Sequence, residues 1–146
     1  MQEFNYEDLL NAWLAAETSI KSPKQVSSLT NNESVICNLL LRNAKTESEG
    51  LTASQLCHAT NIHKSQMNRI LNHMEESNII KRVRSSADKR KVLISFNSEA
   101  ESGFHEQHMR IIEIVHGIVS ELGERRSAEV TQALNDLALA ARKVIG

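Results

Sequence analysis

The chain is poor in the residues that interrupt helices. Its 146 residues include one proline, Pro23, and five glycines, too little punctuation for a fold of many short strands and turns. Aromatics make up 3% although apolar residues reach 40%, so the core must rest on Leu, Ile, Val, Met and Ala. No apolar run is long enough to cross a bilayer, and the opening residues MQEFNYEDLL are acidic, unlike a signal peptide. The expected location is the cytoplasm, with no membrane partner. Cys37 and Cys57 are the two cysteines, too few for a disulfide framework and wrongly spaced for zinc. Both lie in apolar helical patterns, without flanking charge to lower a thiol pKa, and read as small buried hydrophobes. A Gly-rich phosphate loop, a nucleophile elbow and a His–Glu–His metalloprotease spacing are also missing, which argues against an enzyme. The length suits one domain, 1–146, with a real core, and nothing in it calls for a cofactor.

Charge is scarce in total and uneven in place. The formal net charge is −1. Between Asn61 and Lys91, however, eight Lys or Arg (Lys64, Arg69, Lys81, Arg82, Arg84, Lys89, Arg90, Lys91) face three acids (Glu75, Glu76, Asp88). That segment carries +5, which leaves −6 for the rest. A basic patch on an acidic body concentrates attraction for a polyanion on one face.

The apolar spacing supplies the elements. A first helix opens near Asn5, a capping residue, with Glu7 and Asp8 suited to the positive helix end. Its apolar positions Leu9, Leu10, Trp13, Leu14 and Ala16 end near Ser22-Pro23, and a polar linker, SPKQVSS, follows. Thr30 to Glu33 is a capping-box pattern opening a helix with Val35, Ile36, Leu39 and Leu40 inward, stopped in the polar stretch before Gly50. Thr52 to Gln55 is a second box, opening a short helix with Leu56 and Cys57 inward. Asn61 tolerates the left-handed backbone of a tight turn, and Ile62 plugs the gap before a helix that starts at His63 or a neighbour.

In that next helix Met67, Ile70, Leu71 and Met74 form the buried stripe. Lys64, Ser65, Gln66, Asn68, Arg69, Asn72 and His73 are left on the outer faces, and Asn78 suits the left-handed cap usually given to Gly. Ile79–Arg84 and Lys91–Phe96 read as two strands around a polar tip, the second alternating with period two. Ser98 to Glu101 is a third box. The long helix behind it carries a heptad-like seam of Phe104, His108, Ile111, Val115, Ile118 and Leu122. Gly123 can end this helix and Ser127 can cap a last one, with Val130, Leu134, Leu137, Ala141 and Val144 on its stripe.

Two short helices across a tight turn, then a basic strand, tip and strand, are the order of a winged helix-turn-helix. The expected fold is mainly α with a small β-wing: residues 29–97 form the winged lobe, and 5–28 with 98–146 form an all-helical dimerisation region. The terminal helices present apolar stripes that a small winged lobe cannot cover. A two-fold dimer would bury them and set two recognition helices on one side; a monomeric bundle is the alternative.

Asn61–Arg69 (NIHKSQMNR) and the wing run Asp88-Lys-Arg90-Lys-Val92, in this order, resemble the turn, recognition-helix start and Asp-x-Arg wing signature of the multiple-antibiotic-resistance regulator (MarR) family of bacterial repressors. The resemblance spans nearly the whole chain. It implies a homodimer on pseudo-palindromic double-stranded DNA. Lys64, Ser65, Gln66, Asn68 and Arg69 would face the major groove or its phosphates, Arg90 would enter the minor groove, and Asp88 would orient the wing. Asn72 and the wing cations Arg84 and Lys89 complete the candidate DNA contacts. Amides and Arg read base edges, Ser and Lys anchor phosphates, and a wing-tip Arg suits a narrow minor groove. The chain departs from the family pattern at Asn78, where Gly is usual, and at Asn97, where Thr is usual.

Members resemble one another in leaving DNA when a small aromatic anion enters the cleft between dimer helices and winged lobe, so a small aromatic or anionic effector is expected. Relatives that sense oxidants use a first-helix cysteine, which this chain lacks there. Others sense zinc through long-helix histidines; His105 and His108, at i and i+3, could share an ion with a third ligand. A winged helix used only for protein contacts is a further alternative, for which the five excess positive charges have no use.

Overall fold

A computed structural model describes residues 3–20, 29–46 and 48–146. Six helices and one hairpin follow in order: α1 (Tyr6–Ile20), α2 (Asn31–Ala44), α3 (Ala53–Thr60), α4 (Lys64–Glu76), β1 (Ile80–Arg84), β2 (Val92–Phe96), α5 (Ser98–Leu122) and α6 (Glu124–Ile145). The expected end of the first helix at Ser22-Pro23 and the linker to Ser28 lie outside the described residues.

Local chemistry explains most boundaries. The Glu7 N–H donates to Asn5 Oδ1 at 3.0 Å, as expected of a cap on α1. At α2 the Thr30 N–H donates to Glu33 Oε2 (2.8 Å) and the Glu33 N–H to Thr30 Oγ1 (3.3 Å). The same reciprocal pair joins Thr52 and Gln55 ahead of α3, at 2.8 and 3.1 Å. Each box satisfies two N–H groups that a helix start leaves open. Asn61 sits at φ 58°, ψ 27° and turns the chain between α3 and α4. Asn78 takes φ 57° beyond α4. There the Ile79 N–H reaches Met74 O (2.9 Å) and the Asn78 N–H reaches Glu75 O (3.0 Å), the paired bonds of a Schellman ending.

Two expected caps are displaced. α5 begins at Ser98 itself, and Asn97 takes the cap position at φ −67°, ψ 134° without a side-chain cap bond. The hairpin decides this: the Asn97 N–H is held by Ile79 O at 2.9 Å, so the chain leaves β2 already set to enter a helix at Ser98. Nor does Ser127 cap α6. That helix starts three residues earlier at Glu124, and the Ser127 hydroxyl donates back to Gly123 O at 2.8 Å. Gly123, at φ 80°, ψ 153°, supplies the whole break between α5 and α6, and Glu124, Arg125 and Arg126 favour helix immediately after it.

β1 and β2 pair antiparallel in the register Ile80↔Phe96, Lys81↔Ser95, Arg82↔Ile94, Val83↔Leu93 and Arg84↔Val92. Leu51 adds a short third rung, exchanging backbone bonds with Ile94 at 3.0 and 2.7 Å. Gly50, beside that rung, has φ 148°, and a Cβ there would meet Ile94 O at 2.6 Å. Only glycine fits.

Among the described residues the core lies wholly in this winged lobe. Ile36, Cys37, Leu40 and Leu41 of α2 meet Leu56 of α3, Met67, Leu71 and Met74 of α4, and Ile80, Ile94 and Phe96 of the hairpin. Ile62, Ile70 and Cys57 are half-buried against this cluster. The stripe on α2 is rotated from the expected one. Glu33, Ile36, Cys37, Leu40 and Leu41 face inward, Leu39 is half-buried, and Val35 is exposed. One step along a helix turns a side chain by about 100°, which carries Val35 off the stripe that Ile36 and Leu40 define. Burial raises the Cys37 thiol to about 12, with the neighbouring Glu33 charge adding to it, so the thiol stays protonated and unreactive at neutral pH.

α1, α5 and α6 contain no fully buried residue among those described. Phe104 of α5 stacks on Phe96 at 5.4 Å, with His108 tilted against Phe104 at 6.1 Å, and so fastens the long helix to the base of the wing. Farther along, Val115, Ile118 and Leu122 are exposed. On α1, Leu9, Leu10, Leu14 and a half-exposed Trp13 (50%) also stand open. Among the described residues no helix is long and apolar enough to cross a membrane.

Candidate nucleic-acid interface

α4 stands on the core through Met67, Leu71 and Met74. Since residues three and four apart share a helix face, Ser65, Asn68, Arg69 and Asn72 form a continuous outer strip. Lys64 and Gln66 flank its start. All six are exposed. Among the described residues, the side chains of Lys64, Ser65, Gln66, Asn68 and Arg69 are engaged in no hydrogen bond or ion pair, so they are free for an outside partner. Gln66, Arg69 and His73 also line an open groove of about 430 Å³ against Thr30 and Asn32, at the N-terminus of α2.

The wing is attached to that strip. Arg82 Nη1 donates to Asn72 Oδ1 at 2.9 Å and to Glu75 Oε1 at 3.1 Å. Alternation along β1 puts Arg82 on the same side as buried Ile80, facing α4, and its side chain is only 25% exposed. Asn72 therefore has its carbonyl oxygen committed to a strut between helix and wing. Arg82 and Glu75 form a bridge between wing and helix that motif reading passed over, and the period-two position of Arg82 behind Ile80 is the signal that could have found it.

The tip, residues 85–91, is tied by short polar bonds. The Ser85 N–H donates to Lys91 O (3.0 Å) and the Lys91 N–H to Asp88 O (2.9 Å). Nearly buried Ser85 accepts the Asp88 N–H on its hydroxyl at 3.2 Å. Asp88 Oδ1 accepts the Arg90 N–H at 3.1 Å. This carboxylate thus holds the backbone from which Arg90 projects. Arg84 turns back, its Nη1 donating to Lys89 O at 2.9 Å. The side chains of Lys89, Arg90 and Lys91 are exposed and unpaired among the described residues. The tip is also anchored from outside by Glu49, which accepts from the Ser86 hydroxyl at 2.6 Å.

Glu33 is buried although charged, and its Oε1 meets His73 Nδ1 of α4 at 2.8 Å while its Oε2 completes the α2 cap. The His73 side chain itself is 66% exposed. This bond pins α2 to the outer side of α4, and nothing in the sequence pairs positions forty apart.

His105 and His108 are separated by their surroundings. His105 is exposed beside Glu101, Ser102 and Glu106 in an open groove against α2, whereas His108 leans on Phe104. Among the described residues no three of His, Cys, Asp or Glu gather as a metal-holding group.

The geometry has known counterparts. NadR solved with 4-hydroxyphenylacetate superposes with a TM-score of 0.70 at 22% identity, over 94% of this chain and 96% of that one. MepR of Staphylococcus aureus, solved as a DNA complex, gives 0.71 at 18% identity, over 94% and 99%. MepR bound to ethidium bromide gives 0.60 at 17% identity, over 94% and 96%. NadR and MepR are MarR-type regulators, and at these identities the likeness establishes a shared winged-helix fold. Sequence comparison with curated proteins gives no significant match. The sequence profile of the family described as transcriptional regulator SarA/Rot, in contrast, matches residues 18–107. That span takes in α2, the helix-turn-helix and the entire wing, and on it the chain belongs to the SarA/Rot family of transcriptional regulators.

Proposed function

We propose that the chain acts as a homodimeric repressor on pseudo-palindromic double-stranded DNA in the bacterial cytoplasm, and that a small aromatic or anionic effector releases it. The observation that carries this reading is the grouping of unengaged polar and cationic side chains: Lys64, Ser65, Gln66, Asn68 and Arg69 on α4, and Lys89 and Arg90 on the wing that Arg82 ties to α4. Gln66, Asn68 and Arg69 suit base edges, Lys64 and Ser65 suit phosphates, and Arg90 suits the minor groove. Asn72 and Arg84 act partly through the wing they brace, and Asp88 through the Arg90 backbone.

Dimerisation rests on a different region. α1, α5 and α6 leave Leu10, Trp13, Leu14, Ile112, Val115, Ile118 and Leu134 exposed, far more apolar surface than a monomer keeps in water. A two-fold partner covers it and repeats the recognition helix for the second half-site. The effector reading rests on the fold shared with NadR and MepR, whose structures hold 4-hydroxyphenylacetate and ethidium. In this chain an open cavity of about 210 Å³ between α2, the wing base and α5 offers Phe96 as an apolar wall, with Lys81 set against the carboxylates of Glu49 and Glu101, a lining that favours an aromatic effector over a purely anionic one. No observation favours zinc at His105 and His108 over this reading.

The test is titration of the purified protein on its own upstream duplex at several salt concentrations. Binding that weakens steeply as salt rises is expected. Absence of salt-sensitive binding to any duplex overturns the DNA reading and leaves a protein-contact winged helix.

A further inference from the structure

We infer that Glu49, in the loop between α2 and α3, is a positioning residue that aims the wing tip at DNA. The inference rests on the DNA reading above. The tip is rigid within itself, because the bonds among Ser85, Asp88, Arg90 and Lys91 close it on its own backbone. None of those bonds sets where the tip points relative to the lobe. Glu49 does. It accepts the Ser86 hydroxyl on Oε1 at 2.6 Å and faces the Ser86 N–H through Oε2 at 3.5 Å. A contact of 2.6 Å from hydroxyl to carboxylate is the short, charge-assisted kind.

The loop is built to hold that carboxylate in place. Leu51, two residues on, is locked to Ile94 of β2 by a pair of backbone bonds. Gly50 passes so close to Ile94 O that no side chain fits. The Ser48 hydroxyl donates to Gly50 O at 3.0 Å. Glu49 is thus fixed against the middle of β2, in the same hairpin whose tip it grips.

Its charge sharpens the argument. Glu49 is exposed and forms no ion pair among the described residues, although the tip it grips carries Lys89 and Arg90. Beside DNA an unneutralised carboxylate repels phosphate. Electrostatics therefore predicts that removing it tightens binding, while a latch predicts that removing it loosens binding. The two roles have opposite signs.

The deciding experiment compares the wild-type protein with Glu49→Ala, Glu49→Gln, Ser86→Ala and the double variant Glu49→Ala/Ser86→Ala on one operator duplex. Amide exchange at 85–91 is followed in the free proteins. Glu49→Ala is expected to weaken binding about three- to tenfold, less than the full loss of a charge-assisted hydrogen bond because the repulsion of phosphate is lifted with it, and to speed exchange at the tip. Glu49→Gln, equal to Ala in charge but still an acceptor for the Ser86 hydroxyl, is expected to bind at least as tightly as wild type. Ser86→Ala should weaken binding, and the double variant should bind no worse than Glu49→Ala. Equal tightening in the Ala and Gln variants overturns the inference, since the carboxylate then acts only as a like charge. A wild-type protein that binds no duplex overturns the DNA reading and the positioning role together, and shows itself before any substitution is made.

Discussion

The winged lobe and the terminal helices are built on opposite terms. The lobe encloses eleven apolar side chains from five elements, with polar bonds at nearly every joint. α1, α5 and α6 are longer, yet they enclose none among the described residues and leave apolar stripes open. Helix propensity, with ion pairs such as those of Arg125 and Arg126 to Glu129 on α6, favours such helices even where α5 and α6 have no side-chain cap bond, but hydrophobic burial is what holds helices in place. The lobe is therefore stabilised by its own contents, whereas under the proposed dimer the terminal helices are stabilised by a second copy. In this arrangement stability and DNA contact can be perturbed separately from assembly.

The largest effect should come from the helices. Ending the chain after Ser127 removes Val130, Leu134, Leu137, Ala141 and Val144, and with them most of the α6 stripe. Loss of the dimer in light scattering and loss of operator binding are expected together, because a single half-site forfeits the tethered second contact. A truncated chain that remains dimeric would break the contrast between the two regions.

Next comes the lobe. Leu71 is fully buried between α4 and the rest of the core, so Leu71→Ala should cost about 2–5 kcal/mol of unfolding free energy in denaturant titration. Leu134→Ala, on the open stripe, should cost far less in the monomer and act mainly through the monomer–dimer equilibrium. If both changes reduced monomer stability equally, the terminal helices would have a core of their own.

A smaller effect separates contact from assembly. Arg69 and Arg90 are exposed and, among the described residues, unpaired, so Arg69→Ala or Arg90→Ala should weaken operator binding by about 1–3 kcal/mol each if they reach bases. Light scattering should show an unchanged dimer. Dissociation on either substitution would mean that the DNA face and the dimer face overlap.

What the sequence disclosed follows the same division. Features fixed by neighbours three or four residues away were legible: the boxes at Thr30 and Thr52, the left-handed turns at Asn61 and Asn78, and the period-two hairpin. The free side chains of α4 could be read from one helical face. Features set by the hairpin or by distant elements were not. Ser98 lost its cap role because Ile79 holds Asn97, and Ser127 lost its own because Gly123 suffices as a break. Val35 stands one helical step off the buried stripe, since a stripe read from apolar residues cannot foresee that Glu33 lies inward, bonded to His73. The Arg82 strut and the Glu49 latch join positions seven, ten and thirty-seven apart, beyond any local rule.

The smallest effect tests a strained helix end. Asn78 occupies φ 57° beyond α4, a left-handed position that glycine takes most easily. A residue with a Cβ meets a penalty in that conformation, which asparagine softens by local hydrogen bonding. Asn78→Ala should therefore lower unfolding free energy by about 1–2 kcal/mol, while Asn78→Gly should stay within about half a kcal/mol of wild type, since relief of the backbone is offset by greater freedom of the unfolded chain. Both changes lie in the lobe, between recognition helix and wing, so dimerisation should be unaffected. If alanine proved harmless, the Schellman bonds from Asn78 and Ile79 would not be what ends α4, and the helix would owe its end to the strand that follows.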